Sequence, residues 1–152
     1  MNRNLRNFRI LACVVLLSTL VVGHGNKNTK LKVGSYTGKA NQTTEYNYQK
    51  TGTRDVEITI KIDSIDSDGN IKGEFVHETL GKGGSGGLTG KIDDSDKLQL
   101  KGSLTSQFGD KWQITLNATV GDKVLTDGQY RLEAKTTTMT GLFKTAELQD
   151  ND

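Results

Sequence analysis

Two short runs concentrate the carboxylates of this chain: Asp66-Ser67-Asp68-Gly69-Asn70 and Asp93-Asp94-Ser95-Asp96. Carboxylates on two neighbouring turns can share a hard cation through oxygen ligands, so Asp66, Asp68, Asp94 and Asp96 are the candidate metal-binding residues. Ser64, Asp66, Asp68 and Gly69 follow part of a calcium-loop spacing, with Ile71 in the usual apolar slot. Phe75, however, stands where the closing glutamate of such a loop belongs. Aspartate is also what a plain turn wants, because its side chain bonds the backbone two residues on. Ordinary turn chemistry is therefore expected, with a shared calcium ion as the alternative, and no cofactor.

Catalysis needs a nucleophile, or acid and base groups within hydrogen-bond reach of each other. Beyond residue 25 there is no cysteine, the only histidine is His77, and no pair of carboxylates falls on an inward strand face. A zinc site of the usual kind needs more His and Cys than this. The glycine-rich run Gly81-Lys82-Gly83-Gly84-Ser85-Gly86-Gly87 lacks the lysine-serine/threonine ending of a phosphate cradle and opens no helix. We expect a protein that is not an enzyme.

The remaining candidates are binding groups. Tyr46 and Tyr48 are two apart, hence on one side of an extended segment, where they form a stacking platform or pack beneath their own loop. His77 continues the inward face of Ile71 and Phe75, either meeting a ligand at a rim or satisfied by a loop carbonyl. With Tyr36, Phe108, Trp112 and Tyr130 these make up the candidate ligand-binding set.

Strands must position them. Val56, Ile58, Ile60 and Ile62 alternate with Glu57, Thr59, Lys61 and Asp63, and Trp112, Ile114, Leu116, Ala118 and Val120 alternate with Gln113, Thr115, Asn117 and Thr119. A period of two belongs to a half-buried strand. Eight strands follow, near 31–37, 54–63, 71–77, 87–92, 97–104, 111–120, 123–133 and 139–148, with 38–53 read as a polar connection. Glycine and an aromatic recur two apart in Gly34-Ser35-Tyr36, Gly73-Glu74-Phe75, Gly128-Gln129-Tyr130 and Gly141-Leu142-Phe143. Glycine on a concave face lets strands bend and leaves room for a neighbouring ring. The fold class expected is all-β: an eight-stranded antiparallel up-and-down β-barrel. Its apolar faces point inward, opposite to a membrane barrel.

The termini differ in kind from this body. Arg3, Arg6 and Arg9 precede an apolar run over 10–22 and the small residues of Gly23-His24-Gly25, the pattern of a signal peptide over 1–25. The run is shorter than the roughly 20 residues that cross a bilayer, so no membrane span is expected. Ile10-Leu11-Ala12-Cys13 approximates a lipidation motif, but most of the apolar run follows Cys13 instead of preceding it. Residues 26–152 form one barrel domain in this reading, secreted or periplasmic. Removing the three leader arginines from 20 basic residues leaves 17 against 18 acidic ones. The basic isoelectric point is thus the leader's, and no nucleic-acid partner is expected.

The stretch 66–93, with its Asp-Gly turn, Gly-x-aromatic strand, loop and Leu88-Thr89-Gly90, resembles the avidin and streptavidin barrel, as does the opening Gly34-Ser35-Tyr36. Lipocalin-like small secreted bacterial barrels share this layout. The resemblance implies a ligand-binding barrel. It does not carry biotin over, because that family surrounds its ligand with several tryptophans and this chain has Trp112 alone, with Tyr36 at the first-strand position.

In a meander alternate connections share an end, so the longer links gather at one mouth around Tyr46, Tyr48, His77, Lys82, Gln107, Phe108 and Thr137. Three functions stay open. The first is a small apolar or aromatic ligand bound at that mouth. The second is a protein-binding or inhibitor module with a filled barrel, although relatives of that kind carry a disulfide this chain lacks. The third is a surface protein that binds calcium or polysaccharide. Outer faces are Lys, Glu, Gln and Thr apart from Val76, Leu125 and Leu142, so a monomer is expected.

Overall fold

The computed structural model describes residues 30–80 and 85–149. Eight antiparallel strands close into a barrel in sequence order: β1 Gly34–Tyr46, β2 Gln49–Ile65, β3 Asn70–His77, β4 Ser85–Ile92, β5 Lys97–Thr105, β6 Lys111–Val120, β7 Val124–Glu133 and β8 Thr137–Leu148. A 3-10 turn, Glu78–Leu80, follows β3. The expected leader 1–25, Cys13 and Lys82 lie outside the described residues. Among those described, no helix is long and apolar enough to cross a membrane.

The segment 38–53 is where the sequence reading errs. It is not a loop but the continuation of β1 and the start of β2, paired from Gly38↔Ile58 out to Tyr46↔Gln49. Alternation of polar residues hid it, since a two-sided polar ribbon carries no hydrophobic period. Its tip is a two-residue turn with Asn47 at φ 48° and Tyr48 at φ 65°, the left-handed pair that suits the twist of a hairpin. Strand β4 likewise begins inside the glycine-rich run, at Ser85.

Turns at the opposite end follow one design. The Asp66 carboxylate accepts from the N–H groups of Asp68 and Asn70 at 2.9 and 2.8 Å and from Asn70 Nδ2 at 2.7 Å. Asp93 accepts from Ser95 and Lys97 N–H at 2.8 and 2.9 Å. Each turn thereby satisfies backbone donors that no strand reaches.

Bulky side chains fill the interior. Tyr36, Phe75, Trp112, Tyr130 and Phe143 project into it among a single cluster of aliphatic side chains. Leu31 stops the tight-turn end and Leu80 the other, both almost wholly buried. An eight-stranded barrel is just wide enough for its own side chains. Irregular pairing adjusts who points inward. A register shift between Asn117 and Thr119 of β6 turns Leu125 into the core, fully buried, where strict alternation had put it outside.

Glycines are placed where strands come closest. A Cβ on Gly73 would meet the Lys61 carbonyl, and one on Gly90 the Gln99 carbonyl. The wall can close tightly because these positions have no side chain.

Candidate functional site at the hairpin end

The β1–β2 hairpin rises at the end that also carries Glu78–Leu80, the link 106–110 and the turn 134–136. Just inside this end lie three fully buried polar side chains, Gln42, Tyr130 and His77. They come from β1, β7 and β3 because each keeps the inward parity of its strand. Tyr130 donates its hydroxyl proton to Gln42 Oε1 at 2.9 Å, and His77 Nε2 lies 3.0 Å from the Tyr130 hydroxyl oxygen. A hydroxyl has one proton to give, so the His77 bond is an Nε2–H donating to Tyr130. Phe75 stacks on His77 with centroids 5.8 Å apart, and His77 meets Tyr130 edge-on at 5.4 Å.

Burial sets the electrostatics. It lowers the His77 pKa to about 4, helped by the nearby Arg54 cation and opposed by Glu78. It also raises the Tyr130 pKa above the usual phenol value, with Arg54 opposing. At neutral pH the trio is therefore uncharged, and it orients side chains without carrying charge.

Other candidates are scattered. Tyr36 sits at the tight-turn end, its hydroxyl accepting from Lys32 N–H at 2.9 Å and donating to Lys32 O at 3.1 Å. It ties down the segment bearing Leu31 and is nowhere near the mouth. Trp112 is buried at the hairpin end, and its Nε1–H meets no hydrogen-bond acceptor among the described residues. Tyr46, Tyr48 and Phe108 are exposed at 52, 100 and 82%. Tyr48 lies in the two-residue turn at a left-handed φ, beyond the strand that Tyr46 ends, so the shared side of an extended segment does not hold for the pair.

The aspartates do not converge. Asp66 is spent on its own turn, where the Asn70 side-chain amide and then the Asn70 N–H hold its carboxyl below its ordinary range. Asp96 pairs with Lys30 at 2.7 Å. Among the described residues no group of three or more His, Cys, Asp or Glu side chains is arranged to hold a metal ion.

Recesses lie on the outside of the wall. An open groove of about 850 Å³ crosses the gap in the β1–β8 ladder beside Lys39, Asn41, Asp127, Leu142 and Lys144. A smaller one of about 380 Å³ separates Asn47 and Tyr48 from Arg131, Glu133 and Lys135, with the hairpin tip held to the next turn by Asn47 N–H to Thr136 O at 2.8 Å.

Gln42 and Arg54 are the site residues the sequence reading missed. The signal was present: Tyr36, Ala40 and Gln42 share a parity, and Arg54 shares that of Val56. Comparison with family models, with curated proteins and with solved structures found no match to this chain.

Proposed function

We propose that the chain is a secreted, non-catalytic, monomeric module that binds a protein partner through the hairpin end of a filled barrel. One observation carries this reading. Tyr48 is fully exposed and holds a left-handed backbone conformation at φ 65°. An ordinary L-residue costs roughly 1–2 kcal/mol there, a cost that glycine would avoid. The fold gains nothing from the ring, which touches solvent, so a use outside the fold accounts for it. Tyr46 and Phe108 add exposed aromatic surface at the same end, and aromatic anchors are what protein interfaces concentrate. The filled interior removes the space that a ligand inside the barrel would need.

The buried Nε1–H of Trp112, which meets no acceptor among the described residues, favours a second reading, an acceptor-bearing small molecule at this end. Native mass spectrometry of protein purified from its own source separates the two. The protein-binding reading expects the bare mass, together with a partner captured by the wild type and lost with Tyr48→Ala/Phe108→Ser at unchanged melting temperature. A small molecule retained at unit stoichiometry would overturn it.

A further inference from the structure

Strand β2 overruns the wall. Its pairing with β3 stops at Ile58↔His77, whereas its pairing with β1 continues to Gln49. Residues 49–57 therefore have a strand on one side only among the described residues. The Glu57 N–H shows which groups look outward, because it points away from β1 and donates to Glu78 Oε2 at 2.9 Å. Within an antiparallel strand the N–H and C=O of one residue face the same side, and the sides alternate. Thr53 and Asp55 thus turn their backbone groups toward the open edge as Glu57 does, and no described strand meets them. Exposed edges of this kind are templates for another strand, and natural barrels normally abolish them.

Beside the edge lies a recess of about 240 Å³ lined by Glu57, Thr59, Val76 and Glu78. Val76 is 39% exposed there. An apolar floor between two carboxylates suits a long cationic side chain, its stem on Val76 and its head between the acids. Asp55 adds a third carboxylate on the same outer face, accepting from Asn41 Nδ2 at 3.0 Å with lone pairs to spare.

We propose that this edge takes an extended, basic segment of a partner protein as an added strand. Thr53 and Asp55 supply the backbone bonds, and a lysine or arginine of the partner enters the recess at Glu57 and Glu78. This rests on the protein-binding reading and names the chemistry of its partner. A second copy of the chain fits less well, since its edge brings the same acidic outer face.

The test is an amide-resolved NMR titration of the full chain with a blocked nonapeptide of alternating lysine and valine. The Thr53 and Asp55 amides should shift and gain exchange protection, and Glu78→Gln should weaken binding about threefold, the scale of one exposed ion pair. A glutamate–valine peptide should bind at least about tenfold more weakly, since like charges then face each other. Methylating alternate peptide nitrogens should abolish binding, and Thr53→Pro should do the same while keeping every β1 rung. No shift at Thr53 and Asp55, unchanged binding by the methylated peptide, or dimerisation through this edge would each overturn the proposal. If the edge fails while Tyr48→Ala still loses the captured partner, the protein-binding reading stands without it.

Discussion

The ring of Tyr130 stands where a side chain on Gly141 would be. Phe143 does the same over Gly128, so β7 and β8 exchange one glycine and one ring each. In β7 and β8 the Gly-x-aromatic repeat is thus a packing device, each ring covering its neighbour's glycine, whereas Gly34 faces Leu148 and Gly73 the Lys61 backbone.

Alanine at either glycine should collide with that ring. Gly128→Ala and Gly141→Ala should each lower stability by about 1–3 kcal/mol, measured by urea denaturation. Gly87→Ala, where nothing lies within 4 Å of the added carbon, should be neutral or slightly stabilising. Equal losses at all three positions would show that the rings do not set the cost.

Removing one hydroxyl from the buried trio should be felt at both neighbours. Tyr130→Phe takes away the acceptor of His77 Nε2 and the donor to Gln42 Oε1. A loss of about 1–3 kcal/mol is expected, because desolvated polar atoms lose a partner. Replacing all three residues by apolar ones of similar size should cost less than the single change.

His77 gives the fold a specific response to acid. Its pKa in the folded protein is about 4, below the ordinary 6.5. Above pH 6.5 both folded and unfolded states are neutral, and the contribution to stability is fully present. Between 6.5 and about 4 only the unfolded state takes up the proton, so stability falls by about 3 kcal/mol across that window. Unfolding free energies at pH 7, 5.5 and 4 should show this slope, and His77→Phe should flatten it. A wild-type slope unchanged by that substitution would place the titration elsewhere.

At the hairpin tip stability and binding should part company. Tyr48→Gly relieves a left-handed tyrosine and should raise stability by about 1 kcal/mol. The same change should weaken partner capture. A variant that binds as well as the wild type would remove the reason given for the tyrosine.

How legible was this in the chain? Wherever one face is dry, alternation is unmistakable, as from Val56 to Ile62 and from Trp112 to Val120. The closed barrel and its inward set follow from that period together with the glycines. The hairpin over 38–53 escaped because beyond Gln42 neither of its faces is buried, and at its base the buried Ala40 and Gln42 are a small and a polar residue. Leu125 escaped because one irregular pair reverses parity for the residues beyond it. Tyr36 is an inward aromatic as expected, but which end of the barrel it serves depends on where its strand begins.

Sequence alone determined the strand count, the polarity of the wall and the turn chemistry of Asp66 and Asp93, because these are local consequences of side-chain period and short-range hydrogen bonding. Only the tertiary structure decided that Gln42, His77 and Tyr130 share one buried chain of hydrogen bonds. It alone decided that Leu31 and Leu80 stop the two ends, and that β2 runs on past β3. Those facts depend on register between strands far apart in the chain, and register is set by the joint packing of eight strands around one interior.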